Sequence, residues 1–180
     1  MVNIGTIPLE TERLILRRFS IDDGLEIFEG YRNQYEFLYY ANKNALSIEE
    51  TIDEISEILK KYSQNDYYNW VITLKNSNKI IGSINLKYNE KFEGMIFSYA
   101  IDNRFTNNGY MTEALNSIKS FCFNNLQVNQ IIGGCIESNL PSRRVMEKCG
   151  LEYKYSIENF IYLTDGYHNS DFYFLTNKNN

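Results

Sequence analysis

The sequence predicts an α/β fold (α+β in some schemes), in which a mixed, mostly antiparallel sheet of six to seven strands carries helices on both faces. The predicted order of elements is strand, two helices, three strands, helix, strand, helix and two strands. The three consecutive strands are joined by short turns, which favours antiparallel pairing. The later strand–helix–strand crossover favours one parallel pair and a right-handed connection.

The first element is predicted over 9–19, LETERLILRRF, where leucines alternate with charged residues as in a half-buried strand. Ser20 and Asp23 then fit a capping box that opens a helix over about 21–31. The segment 35–44 is aromatic and has no clear period.

A second capping box, Ser47 with Glu50, predicts a helix whose apolar face repeats every three to four residues. That face consists of Ile48, Ile52, Ile55, Leu59 and Tyr62. The next predicted elements are a hairpin of strands 67–75 and 80–88 and a third strand over 95–101.

The last third of the chain predicts a strand over 130–136, a short helix over 141–149 and two closing strands, 151–157 and 168–176. Gly150 follows the short helix where a left-handed residue commonly ends one. The closing strands are expected to form an antiparallel pair.

Length and composition predict one domain over 1–180, with a frayed tail at 176–180. The net charge of −5 disfavours nucleic-acid binding, which needs clustered Lys and Arg. No apolar run approaches the ~20 residues of a membrane span. The N-terminal residues do not resemble a secretory signal, so a cytoplasmic location is expected.

The cysteines Cys122, Cys135 and Cys149 form no CxxC pair and stand among apolar residues, which predicts buried, reduced thiols. With His168 as the only histidine, a His-rich metal site is excluded and a histidine-based triad is disfavoured. No metal is expected.

The stretch RFTNNGYMTEAL, residues 104–115, opens the helix with the most regular apolar stripe of the chain. Free amides at such a helix start attract anions, and Gly109 allows close approach to the backbone. Two readings remain at this point: an anion site, to which Arg104 adds charge, or an ordinary asparagine cap. The stripe itself predicts core packing, and its members are Met111, Ala114, Leu115, Ile118, Phe121 and Cys122.

Four stretches together resemble the GCN5-related N-acetyltransferase (GNAT) family, in its branch of ribosomal-protein-type acetyltransferases (RimJ/RimL-like). They are LETERLILRRF, IIGSINL, RFTNNGYMTEAL and NLPSRRVMEKCGLEY. The third resembles the family's pyrophosphate loop and the fourth its second cofactor-contacting segment, and their order and spacing match over nearly the whole chain. One departure is Asn107, which stands where the loop's first glycine is usual.

The resemblance implies a sheet splayed between the strands 95–101 and 130–136, with the pantetheine arm of acetyl-CoA in the gap and its diphosphate on the loop amides. The cofactor-binding residues it implies are Tyr99, Ala100, Ile101, Arg104, Asn107, Asn108, Gly109, Tyr110, Met111, Thr112, Asn139, Ser142 and Arg143. Asn139 could equally be a helix N-cap, Ser142 a solvent-facing residue and Arg143 a surface cation.

The implied reaction is direct attack of a primary amine on the thioester, through a tetrahedral intermediate held by backbone amides of the splayed strand. The family's frequent glutamate base is replaced by Ile96, and its tyrosine acid by Met146. The candidate catalytic residues are therefore Ser142, as donor to the thiolate, and Glu137, which is alternatively a solvated charge at a strand end.

Three functions remain open from the sequence. The first is an N-acetyltransferase that acts on a protein N-terminus or a small amine, as a monomer or a homodimer, with the segment 31–44 shaping acceptor choice. The second is a non-catalytic acyl-CoA-binding or regulatory domain, which Ile96 and Met146 favour. The third is an interaction domain without cofactor, which the loop disfavours.

Overall fold

A computed structural model describes residues 1–43 and 47–177, and its centre is one mixed sheet in the order β1-β2-β3-β4-β5-β6-β8-β7. Among the strands of the described residues, only the β5–β6 pair is parallel. The predicted fold class is confirmed, with eight strands in place of six to seven. The strands are β1 Leu9–Glu10, β2 Leu14–Arg17, β3 Tyr68–Leu74, β4 Ile80–Asn89, β5 Gly94–Ile101, β6 Gln130–Ile136, β7 Glu152–Leu163 and β8 Gly166–Thr176.

Two apolar clusters lie on opposite faces of the sheet. The larger packs α4 and α5 against the sheet and contains the whole predicted stripe of α4, from Met111 to Cys122. The smaller joins Ile27 and Ile55 to Val71 and Ile80. Helices thus cover both faces, as predicted; they are α1 Gly24–Ile27, α2 Tyr35–Tyr40, α3 Ile48–Lys61, α4 Tyr110–Ser120 and α5 Leu140–Lys148.

Both predicted capping boxes are present. The Ser20 side chain accepts from a backbone amide in the first turn while Asp23 reaches back to the Ser20 amide, and Ser47 and Glu50 do the same for α3. Gly150 follows α5 in a left-handed conformation, with φ +88, as expected.

The single first strand predicted over 9–19 is wrong, because the chain turns back at Thr11–Arg13 and forms the β1–β2 hairpin. The Glu113 carboxylate, about a hundred positions away in the sequence, accepts hydrogen bonds from the Thr11 hydroxyl and the Arg13 amide and so holds this turn. The helix predicted over 21–31 is also not uniform: a 3₁₀ turn, α1 and a π-helical turn at Phe28–Arg32 follow one another.

Two further segments differ from expectation. The irregular region at 35–44 contains α2, and its residue Asn44 lies outside the described residues. The predicted frayed tail at 176–180 is wrong at its start, because Thr176 pairs with Gln130 and the Asn177 amide donates to the Asn129 carbonyl. The remainder of that tail, 178–180, is outside the described residues.

The parallel strands β5 and β6 part after three residue pairs. Gly94, Met95 and Ile96 face Gln130, Ile131 and Ile132, and no pairing continues beyond them along these two described strands. On its other side β5 stays paired with β4 as far as Ile101, and β6 stays paired with β8 as far as Ile136. The sheet is therefore splayed between the two predicted strands, and α4 begins shortly after β5 ends.

Candidate active site

The start of α4 presents a row of free backbone amides. Gly109 is its N-cap, with φ +78, and no side chain caps the helix. Among the residues that the structure describes, none accepts a hydrogen bond from the amides of 107–112. The asparagine-cap reading is therefore wrong, since the Asn108 side chain donates to the Thr106 carbonyl instead. Asn107 adopts a left-handed conformation, φ +61, which asparagine tolerates well.

Arg13 brings a cation to this loop that the sequence analysis did not assign to the site. Its Nη1 donates to the Asn108 carbonyl at 3.1 Å, and its Nε donates to Glu113 at 2.7 Å. The guanidinium also lies over the Tyr110 ring, 4.5 Å from the centroid. The only sequence signal for this residue was its position in the family-like stretch LETERLILRRF.

Glu113 is held as an anion by its neighbours. Burial acts to raise the pKa of Glu113, but hydrogen bonds from Thr11 and from the Arg13 amide and side chain outweigh it and lower that pKa. The ion pair therefore persists at neutral pH and fixes the position of the Arg13 side chain beside the loop.

The predicted cofactor residue Arg104 is paired with a buried acid. Its guanidinium contacts the carboxylate of Asp102, a side chain with 0% exposure, and Asp102 also accepts from the Gln34 side chain at 2.9 Å. Burial raises the pKa of Asp102, yet the hydrogen bonds from Arg104 and Gln34 reverse this and leave it lowered. The structure thus ties Arg104 to the end of β5 rather than to the amides at the start of α4.

Asn139 and Ser142 lie together at the start of α5. The Asn139 side-chain oxygen accepts from the Ser142 amide at 3.1 Å, so the N-cap reading of Asn139 is correct. The amide nitrogen of that side chain has no hydrogen-bond partner within 1–43 and 47–177 and could bind a ligand. The Ser142 side chain is partly exposed but does not face only solvent, because its hydroxyl lies 2.9 Å from the hydroxyl of Tyr99, on β5.

Arg143 is neither a free surface cation nor directed at the loop. It forms an ion pair at 2.5 Å with Asp171, a buried residue of β8. This ion pair attaches α5 to the outer half of the sheet.

Glu137 lies at the end of β6, exposed, and is held by β8. Its amide donates to the Asn169 carbonyl at 3.1 Å, and its carboxylate accepts from the Asn169 side chain at 3.2 Å. The described part of the chain records no contact between Glu137 and Ser142, so the two candidate catalytic residues are not brought together.

The two positions at which the family's usual base and acid are replaced carry apolar side chains. Ile96 stands at the last paired rung between β5 and β6, opposite Ile132. Met146 is 1% exposed, and its sulfur occupies the space that a side chain at Gly133 would need. Neither position supplies a proton-transfer group.

The aromatic segment, taken here as the described residues 31–43, lies across the end of the sheet where β5 and β6 part. From its first turn, the Gln34 side chain bonds Asp102 and the Asn103 amide at the end of β5. From α2, the Tyr39 hydroxyl lies 3.1 Å from Asp165 and 3.3 Å from His168, next to the β7–β8 turn. The segment therefore spans from one side of the gap to the other.

All three cysteines are free and buried, as predicted. Burial raises the pKa of the Cys135 and Cys149 thiols to about 11.

Within 1–43 and 47–177, no group of three or more His, Cys, Asp or Glu side chains is arranged to hold a metal ion. None of the helices in those ranges is both long and apolar enough to cross a bilayer.

A splayed sheet with a free helix N-terminus beside the gap defines the acyl-CoA N-acyltransferase class of fold. Comparison with known proteins agrees: the family pattern described as "Acetyltransferase (GNAT) domain" matches residues 13–152. The chain belongs to the GNAT acetyltransferase family, whose acyl donor is acetyl-CoA.

Individual relatives are similar over most of their length. The protein named "Uncharacterized N-acetyltransferase YoaA" of Bacillus subtilis (strain 168) is 27% identical over 155 residues, which cover 86% of this chain and 88% of that protein. The ribosomal-protein-S5-alanine acetyltransferase of Vibrio fischeri superposes with a TM-score of 0.83 at 18% identity, covering 96% and 97% of the two chains. The structure of Mycobacterium smegmatis RimJ in complex with CoA-disulfide superposes with a TM-score of 0.81 at 15% sequence identity. The match covers 96% of this chain and 87% of RimJ.

Proposed function

We propose that this chain, as one domain, transfers the acetyl group of acetyl-CoA to a primary amine by direct attack of the amine on the thioester. The observation that carries the proposal is the row of free amides at 107–112 beside the gap between β5 and β6. Amides at a helix start suit a diphosphate, and a parted strand edge suits the amide-like pantetheine arm.

The donor is held by main chain more than by side chains. The amides from Asn107 to Thr112 take the diphosphate, and the free edge of 99–101 binds the pantetheine arm as an added strand. Arg104 and Arg143 are paired with aspartates away from the loop amides. Arg13 is paired with Glu113, but it also donates to the Asn108 carbonyl of the loop, so it is the arginine placed to add positive charge beside the diphosphate.

Two groups complete the chemistry. A backbone amide of 99–101 donates to the oxyanion of the tetrahedral intermediate, and Ser142 donates to the thiolate that leaves. Because Ile96 replaces the usual glutamate and Glu137 is held by Asn169, proton removal from the ammonium goes through water to solvent.

The acceptor enters from the side of the aromatic segment. That segment contacts the end of β5 through Gln34 and the β7–β8 turn through Tyr39, so its residues border the place where the amine must approach. The acceptor is a protein N-terminus, as in the ribosomal-protein acetyltransferases of the RimJ/RimL-like branch, or a small amine. A net charge of −5 suits a cationic acceptor.

Thermal unfolding with and without acetyl-CoA tests the binding step. At about 100 times the dissociation constant, a ligand adds about 2.7 kcal/mol of stability, which raises the Tm of a chain of this size by about 5–10 °C. Absence of any shift at millimolar acetyl-CoA would contradict the proposal. CoA alone should shift the Tm as well, since it carries the same diphosphate.

Release of the CoA thiol in the presence of an amine panel then tests the reaction. The panel should contain polyamines, amino acids, an aminoglycoside and peptides with free N-termini. Turnover with any of these amines supports the proposal that the chain is an acetyltransferase. A cofactor-dependent Tm shift without thiol release for any amine would favour the second candidate, a non-catalytic acyl-CoA-binding domain, which the apolar residues at 96 and 146 would suit.

A further inference from the structure

A tyrosine and a serine meet across the open end of the sheet. Tyr99 belongs to β5, Ser142 belongs to α5, and their side-chain oxygens are 2.9 Å apart. The Tyr99 hydroxyl is also 3.4 Å from the Ser142 carbonyl. These two side chains therefore form a direct polar link between the strand edge and the helix on either side of the proposed donor site.

The Tyr99 ring is fixed independently of its hydroxyl. It stacks on Phe97, with ring centroids 6.2 Å apart and planes inclined by 7°. Burial raises the pKa of Tyr99, while the hydrogen bond to Ser142 acts in the opposite direction. The phenol consequently stays protonated at neutral pH and is available as a donor.

The helix supplies no tyrosine of its own at this place. The position seven residues after Asn139 is Met146, a buried residue whose sulfur lies against Gly133. Its thioether carries no proton that it could donate. The only phenol in hydrogen-bonding contact with Ser142 among the described residues comes from the opposite side, on β5.

We infer that Tyr99 is a positioning residue for acetyl transfer: its hydroxyl donates to the Ser142 oxygen and turns the Ser142 proton toward the leaving sulfur. The inference rests on the proposed function. It assigns the side chain of Tyr99 a task distinct from the backbone role that the strand edge has in binding the donor.

The electron balance of the step is simple. As the tetrahedral intermediate collapses, the C–S bond breaks and its electron pair goes to sulfur. The thiolate accepts a hydrogen bond from the Ser142 hydroxyl, which in turn accepts one from Tyr99. The Ser142 and Tyr99 protons stay on their oxygens, because a thiolate whose thiol has a pKa of ~8.5 is a good enough leaving group to depart with a hydrogen bond alone. The ammonium loses one proton to solvent before the attack, and the nitrogen loses a second as the amide forms. The released thiolate takes one proton from solvent, so the products are the amide, the CoA thiol and one proton.

Tyr99→Phe keeps the ring stack and removes the hydroxyl. We expect its kcat to fall about tenfold, with the KM for acetyl-CoA and the acetyl-CoA-dependent Tm shift within twofold of wild type. The double variant with Ser142→Ala should be no slower than Ser142→Ala alone, since Tyr99 acts through Ser142. Tyr88→Phe, at a partly exposed tyrosine of the neighbouring strand β4, is the matched control and should leave all three quantities unchanged.

A change of leaving group separates positioning from general structural support. The selenium analogue of acetyl-CoA releases a more acidic selenol, which needs less hydrogen-bond stabilisation, so the deficit of Tyr99→Phe should shrink to threefold or less. If Tyr99→Phe lowers kcat equally with both donors, or if the losses of kcat add in the double variant, the inference about Tyr99 is wrong. The proposed acetyltransferase function would still stand. A wild-type protein without turnover for any amine would overturn the proposed function and this inference together.

Discussion

Arg13 lies directly beside Gly109, although 95 residues separate them in the sequence: a β-carbon built on Gly109 would be 3.5 Å from the Arg13 Nη2. The β1–β2 turn that carries Arg13 is bonded to Glu113 on α4. The N-terminal hairpin and the helix that opens at the loop thus form one unit, and the approach to the loop amides is lined by a glycine on one side and a cation on the other.

Gly109→Val should abolish the acetyl-CoA-dependent Tm shift, because the added methyl groups crowd the space that a phosphate needs to reach the loop amides. The left-handed conformation also costs a non-glycine residue about 1–2 kcal/mol, so some loss of stability is expected. Gly150→Val is the matched control. Its φ of +88 imposes similar strain, but its β-carbon would meet open space outside the loop. A Gly109→Val protein that still binds acetyl-CoA normally would remove the loop from the donor site.

Arg13→Gln should weaken acetyl-CoA binding about tenfold, because a charge-assisted contact to a phosphate contributes about 1.5–3 kcal/mol, part of which is lost to solvent screening at an exposed site. Acetyl-pantetheine, which has no diphosphate, is the control donor. Steady-state KM values for the two donors provide the measurement. If the variant weakens both donors equally, Arg13 acts by holding the hairpin rather than by attracting phosphate.

Gly82→Ala should destabilise the protein by about 1–3 kcal/mol, the usual range for overpacking. Gly82 lies on β4, and a β-carbon there would collide with the Ala100 carbonyl oxygen and lie 3.1 Å from the Ile101 Cα. The midpoint of urea unfolding measures the loss. Since Ala100 and Ile101 belong to the proposed donor edge, the KM for acetyl-CoA should rise as well. Unchanged stability and unchanged KM would show that β4 and β5 can move apart without consequence.

Stability should fall as pH rises from about 8.5 to 11. A thiol in the unfolded chain loses its proton near pH 8.5, whereas the pKa of folded Cys149 is about 11 because of burial. Between those values the unfolded state holds fewer protons than the folded state, so deprotonation favours unfolding. Cys149→Ser keeps a donor toward the Thr112 carbonyl, which Cys149 contacts at 3.5 Å, and does not titrate in this range. Its urea midpoint should therefore decline less steeply with pH than that of wild type; identical slopes would contradict a raised thiol pKa.

Elements with a local signal were predictable from the sequence. The apolar stripe of α4 and the capping boxes at Ser20 and Ser47 are encoded within a few residues of each helix start. The strand β6 was located at its exact limits, because its apolar run is bounded by polar residues. The free amides at 107–112 were only one of two readings that the local sequence allowed, and the resemblance to the GNAT family, not the two asparagines and the glycine, favoured them over an asparagine cap.

Features fixed by distant contacts were not predictable. The break between β1 and β2 depends on Glu113, and nothing within 9–19 marks it. The helix α2 has no buried residue and therefore no apolar period; it is held instead at its start by Gln34 and along its length by Tyr39. The ion pair between Arg143 and Asp171, 28 positions apart, likewise depends on tertiary placement.

The parted end of β5 and β6 has a consequence for the protein when no donor is bound. A pantetheine arm in that opening would form hydrogen bonds with peptide groups of the strand edge that otherwise contact only water. The bound donor would therefore act as an additional strand of the sheet. On β5, the amides of 97–101 that face the opening rather than β4 should then exchange with deuterium quickly in the bare protein and slowly once CoA is present, whereas those that are paired with β4 should stay protected in both states. Each turnover would therefore order this part of the sheet when the donor binds and return it to a less protected state when CoA leaves.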